Sequence, residues 1–223
     1  MKKIISILAT ALCSICLNAQ QFGNFEVSNF NLALGSGSVS FTYFDANWNG
    51  LSLKYLGKPM EGFPKYEKGK FYDLQANLFA RLDNLGTLSQ KFTFSGRNTC
   101  RLSATMTPSE TAKYNEISYA FSFPISESKL KLDSIAINPE ESLKIQKVFS
   151  AKRVEVECAY GNVVFEGDLN LLVQDNRIFG GTTYSLRFKP RKEGNTLTWN
   201  IKVSFEEPDG SPIYMNKAPA KNL

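Results

Sequence analysis

Apolar and polar residues alternate with a period of two through most of the chain after residue 20, and no segment over ~10 residues holds a 3.6-residue period. The clearest run sets Leu197, Trp199, Ile201, Val203 and Phe205 against Thr198, Asn200, Lys202 and Ser204. A second sets Ile117, Tyr119, Phe121 and Phe123 against Glu116, Ser118 and Ser122, and a third places Leu74, Ala76, Leu78, Ala80 and Leu82 on one side. Further strands centre on Val39–Tyr43, Leu51–Tyr55, Phe92–Phe94, Arg101–Met106 and Tyr184–Phe188. Such one-sided patterning is what antiparallel sheets need when one face packs on a second sheet. The expected fold is therefore all-β, a large antiparallel two-sheet β-sandwich in a single domain of about a dozen strands.

Three local features refine this expectation. Val154–Tyr160 and Val163–Val173 flank Gly161-Asn162, a pair suited to a two-residue hairpin turn. Gly167 interrupts the apolar face of the second strand and predicts a bend or bulge. Between Leu130–Leu132 and Ile135–Ile137 the apolar phase flips, which predicts a bulge near Asp133-Ser134.

Residues 1–19 read differently. Lys2 and Lys3 precede an apolar stretch from Ile4 to Leu17, and Ala19 offers a small residue for cleavage, the pattern of a secretory signal peptide. Cys13 and Cys16 raise the alternative of a lipoprotein anchor, but Leu12 and Ile15 stand where a small residue is wanted. Residues 20–206 form the predicted sandwich domain and 207–223 a polar C-terminal tail, with Gly57–Lys70 as a long exposed loop. No apolar run reaches the roughly 20 residues of a membrane-spanning helix, so the expected location is secreted or periplasmic.

Composition narrows the chemistry. The chain has 223 residues with 43% hydrophobic and 13% aromatic content, enough for a folded core. Removing Lys2 and Lys3 lowers the formal net charge from +5 to +3, too little to argue for a nucleic-acid partner. The interleaving of Phe63, Tyr66, Phe71 and Tyr72 with lysines does not change that expectation. There is no histidine, which removes Ser-His-Asp and Cys-His catalysis and the usual catalytic zinc sites. No phosphate loop or calcium loop is present, and neither metal nor cofactor is expected. Beyond the leader, Cys100 and Cys158 both fall on apolar phases, so a disulfide and a pair of buried thiols stand as alternatives.

Two segments carry candidate binding chemistry. Trp48 lies in Asp45-Ala46-Asn47-Trp48-Asn49-Gly50, between two strands. An exposed indole there can support the C–H face of a sugar ring while Asp45, Asn47 and Asn49 receive hydroxyls; the alternative is an indole folded over the core edge. Gln174-Asp175-Asn176-Arg177 precedes a strand carrying Arg187, a set able to bind sugar hydroxyls or simply to shape a tight turn with Arg177 on Asp175. Trp199, in the most regular strand, is expected in the core. Glu155 and Glu157 are spaced for a glycosidase carboxylate pair, although alternating Glu on a solvent face is common.

The stretch from Gly167 to Arg177, followed by Tyr184-Ser-Leu-Arg-Phe-Lys-Pro190, resembles the N-terminal β-sandwich modules of large secreted bacterial glycoside hydrolases. These modules are similar to galactose-mutarotase-like supersandwiches. The resemblance covers roughly Phe94 to Phe205 and implies a module that frames a site while catalysis belongs to a following domain. With no following domain in this sequence, it implies a non-catalytic accessory module acting on a polysaccharide or oligosaccharide. The alternatives are a structural or protein-interaction component of the bacterial envelope, docking an envelope protein through Gly57–Lys70, and a carboxylate-dependent glycosidase.

Overall fold

A computed structural model of the protein describes residues 20–22, 25–28, 31–34, 37–52, 65–68, 74–82, 85–125, 128–133, 135–137, 147–158 and 161–206. The leader, the tail and most of the Gly57–Lys70 segment lie outside the described residues. In chain order the strands are β1 (Gln20–Phe22), β2 (Phe25–Ser28), β3 (Asn31–Leu34), β4 (Gly37–Asp45), β5 (Gly50–Ser52) and β6 (Lys65–Lys68). Then come β7 (Leu74–Leu82), β8 (Gly86–Ser95), β9 (Thr99–Pro108), β10 (Tyr114–Pro124), β11 (Ser128–Leu132) and β12 (Ile135–Ile137). Last are β13 (Lys147–Cys158), β14 (Gly161–Asp175), β15 (Thr183–Lys189), β16 (Arg191–Glu193) and β17 (Thr196–Glu206). A 3₁₀ turn, Asn176–Phe179, joins β14 to β15.

The chain is all-β, and its strands form one antiparallel sheet that curls into a half-barrel. The strand that makes it one sheet is β14. Along one edge it pairs with β13; on the other its first half (Asn162–Glu166) pairs with β17 and its second half (Asn170–Asp175) with β15. From β17 the ladder continues through β9, β8 and β7, and from β15 through β10 and β4. The sheet thus forks at Gly167–Leu169 into two arms.

Curling buries the apolar face that the alternation defines. Across the arms, Trp199 on β17 meets Tyr119 on β10 at 5.3 Å and Phe41 on β4 at 6.1 Å between ring centroids. Phe25 on β2 similarly meets Phe205 on β17 at 5.4 Å. Trp199 is buried as its phase requires, and its indole N–H donates to the Phe188 carbonyl at 3.0 Å, satisfying the one polar atom it brings into the core. The Tyr119 hydroxyl likewise donates to Gln90 Oε1 from the other arm, and burial raises that phenol well above its usual range.

Local readings are corrected in four places. The antiparallel pairing of β13 with β14 exists, but Cys158 pairs with Gly161 and Glu157 with Asn162, so Gly161-Asn162 belongs to the strand. Asp133-Ser134 is not a bulge: Leu132 pairs with Ile135, so the apolar phase flips because the chain reverses into a neighbouring strand. Within the predicted Gly57–Lys70 loop, Lys65–Lys68 pairs with β7 as an edge strand. Finally, Cys100 is a buried free thiol. β17 and β14 stand between its strand and that of Cys158, so the disulfide alternative gives way to a buried thiol.

Candidate functional site

The turn from Asp45 to Gly50 is built by one carboxylate. Asp45 Oδ1 accepts the backbone N–H groups of Asn47 and Asn49, both at 2.8 Å, and Oδ2 accepts the Asn49 side-chain amide at 2.8 Å. The Trp48 N–H donates to the Asp45 carbonyl at 3.1 Å, and Asn115 Nδ2 reaches the Ala46 carbonyl at 3.1 Å. The amide of Asn49 holds the Asp45 carboxyl below the ordinary carboxylate range, helped by the backbone N–H groups. Asp45 and Asn49 thus scaffold the turn. Asn47 is exposed at the tip.

Trp48 itself has φ +64°, the left-handed conformation that a hairpin of this kind usually gives to glycine. Its side chain is 61% exposed, so the core-edge alternative does not hold. A bulky residue in that conformation is costly, and strain of this kind is a pointer toward function. Behind the indole, Phe44 lies 6.0 Å away between ring centroids. The Arg187 guanidinium sits over the Phe44 ring, 5.0 Å from its centroid, and its Nε lies 3.3 Å from Glu116 Oε1. Arg187 and Glu116 are both buried, and Ser118 Oγ donates to the same Glu116 oxygen at 3.0 Å. Burial lowers the Arg187 pKa from its ordinary value, against the opposing pull of Glu116. Arg187 thus joins the Trp48 side of the molecule, which spacing along the chain did not reveal.

The remaining predicted polar set lies apart from the Trp48 turn. Asp175 is buried and receives the Arg177 backbone N–H at 2.9 Å, its Nε at 3.0 and 3.1 Å and its Nη2 at 2.6 Å. That guanidinium holds the Asp175 carboxyl below its usual range. Gln174 donates to Asn176, whose amide donates to Thr183 and Ser185. These residues cap the 3₁₀ turn at the opposite end of the arm from Trp48, since Thr183 pairs with Pro124 whereas Asp45 pairs with Tyr114. Glu155 and Glu157 are locked in a charge ladder: Lys131 lies 3.5 Å from Glu155 and 3.7 Å from Glu157, and Lys129 lies 3.2 Å from Glu157.

One feature escaped the sequence. At the fork of the sheet, two adjoining hollows of about 370 Å³ and 460 Å³ share Asp168, Leu169, Asn170 and Arg191 in their walls. The larger is lined further by Lys152 and Asp133, the smaller by Arg101, Lys189, Trp199 and Asn200. Gly167, predicted as a bend, sits at the fork with φ +147°, and a Cβ there would lie 2.8 Å from the Asn200 carbonyl oxygen. Its glycine was the one legible signal; the lining residues come from separate strands.

No protein-family model matches the chain, and no curated protein matches it significantly. Among the described residues no helix is long and apolar enough to cross a membrane, and no group of three or more acidic or cysteine residues is placed to hold a metal ion.

Proposed function

We propose that this chain is a non-catalytic carbohydrate-binding or glycan-processing accessory module of a secreted or periplasmic protein, its two arms corresponding to the halves of a supersandwich. The observation that carries the reading is Trp48: a mostly exposed indole held in a left-handed conformation by a turn whose polar groups are already engaged. A flat aromatic face beside the exposed Asn47 is an element on which a pyranose ring can lie. Retention on a panel of polysaccharide affinity gels tests this. The wild type is retarded on at least one, and Trp48→Ala loses most of that retardation while its unfolding transition keeps the same cooperativity. Equal retardation of both proteins on every gel removes the indole from the site.

A second reading, an envelope interaction component, draws support from Ile178 and Phe179. These side chains are 49% and 70% exposed on the 3₁₀ turn, an unusual place for two adjacent apolar residues. Pull-down from envelope extracts with wild type and Phe179→Ser separates the two: a partner lost with Phe179 and a blank glycan panel favour this second reading.

A further inference from the structure

The hollow beside Trp199 lies where β14 passes from one arm to the other. Residues Gly167–Leu169 pair with neither β17 nor β15 on that edge, so the sheet opens there. The close approach of Gly167 to the Asn200 carbonyl fixes where the opening begins. Its volume, about 370 Å³, falls within the range of ligand clefts. Trp199, Phe188 and Leu169 contribute apolar groups to its lining, and Asn170, Thr198 and Asn200 polar ones.

The charges around this hollow are not balanced. Asp168 is neutralised twice, by Lys152 on one oxygen and Arg191 on the other. That leaves Arg101 and Lys189 facing Glu193. Asn200 Oδ1 holds Arg101 Nη1 at 3.0 Å, which orients the guanidinium and leaves its other N–H groups free of side-chain partners among the described residues. Lys189 has no side-chain partner among the described residues. A guanidinium oriented by Asn200 and an unpaired ammonium in the same lining are suited to a carboxylate or sulfate, which a guanidinium can hold through two parallel hydrogen bonds.

The hollow lies on the same arm as Trp48: Phe188 pairs with Tyr119 and Asp45 with Tyr114, so Lys189 sits two strands across and about four residues along β10 from the base of the Trp48 turn, roughly 17 Å away. Resting on the glycan-binding reading above, we propose that the fork hollow is a second subsite, one that takes an anionic sugar residue whose charge is held by Arg101 and Lys189.

Affinity electrophoresis of the purified chain through gels of polygalacturonate, dextran sulfate and neutral dextran tests this. The wild type is retarded by at least one anionic polymer more than by dextran, and the polymer that acts distinguishes a carboxylate from a sulfate. The Arg101→Gln/Lys189→Gln double variant, melting at the wild-type temperature, binds that polymer at least tenfold more weakly. Lys129→Gln, which removes an exposed cation from β11, leaves binding unchanged. Loss of binding in Lys129→Gln equal to that in the double variant overturns the subsite, because attraction is then general. Unchanged binding in the double variant also overturns it, while continued dependence on Trp48 keeps the glycan-binding reading. No retardation of folded wild type on either anionic polymer also overturns the subsite, while retardation on another gel of the panel that is lost in Trp48→Ala keeps the glycan-binding reading.

Discussion

The guanidinium of Arg187 lies 5.0 Å from the centre of the Phe44 ring, on a strand 143 positions further along the chain. The contact spans three adjacent strands, β15, β10 and β4, and ties the base of the Trp48 turn to the centre of one arm. Glu116 balances the charge, with Arg187 Nε 3.3 Å away but its N–H directed off that oxygen. Removing Glu116 leaves a buried cation without its counter-charge, so Glu116→Ala is expected to cost about 3–5 kcal/mol. The paired change Glu116→Leu/Arg187→Met is expected to recover most of that loss. Urea unfolding of the three proteins measures both.

Trp48 stores strain that glycine would not. Trp48→Gly is expected to be more stable than Trp48→Ala by about 1 kcal/mol, because alanine keeps the left-handed penalty and glycine loses it. Both lose the indole equally. Chemical denaturation gives the stability difference, and the affinity gels show both failing alike.

Gly167 sets the fork. Its φ of +147° is outside the range of residues with a Cβ, and the added carbon would meet the Asn200 carbonyl oxygen at 2.8 Å. Gly167→Ala is expected to destabilise the fold by about 1 kcal/mol or more. Asn200 lines the smaller hollow, so chemical-shift changes around it accompany the loss.

Acid sensitivity follows from Asp175. The Arg177 hydrogen bonds lower its folded pKa below the ordinary 3.8, so the stabilisation is complete above about that pH. It is lost as the pH falls through the lowered folded value. Asp175→Asn is expected to be less stable at neutral pH by about 2 kcal/mol and to show a flatter acid limb. Melting temperatures of both proteins between pH 2 and pH 7 decide this.

Cys100 is fully buried, and burial alone raises its thiol far above the ordinary range. Iodoacetamide is expected to leave Cys100 unmodified in the native protein and to label it in denaturant, as peptide mass mapping shows.

The legible parts of the molecule are those in which neighbours along the chain decide the outcome. The alternation through Leu197–Phe205 and Ile117–Phe123 marked residues that are buried, because successive side chains of a strand face opposite sides wherever that strand packs. The Trp48 turn was visible for the same reason: Asp45 caps N–H groups two and four residues away. The association of Arg187 with Phe44 was not visible, since cross-strand contacts depend on which strands pair and in what register. Asp133 shows the limit on a small scale. Its phase flip read as a bulge, yet its carboxylate accepts the N–H groups of Lys152 and Arg153 at 2.9 Å across the sheet.

From the sequence alone came the all-β class, the buried face of strands such as β10 and β17, a polar turn carrying Trp48 and the bend at Gly167. Local backbone preferences and period-two burial are written residue by residue. Only the tertiary structure decided that one sheet forks at β14, that Arg187 belongs with Trp48 and not with Arg177, and that Arg101, Lys189 and Asn200 surround one hollow. Those outcomes follow from long-range hydrogen-bond pairing, whose partners lie up to about a hundred residues apart and leave no mark on the periodicity of any single strand.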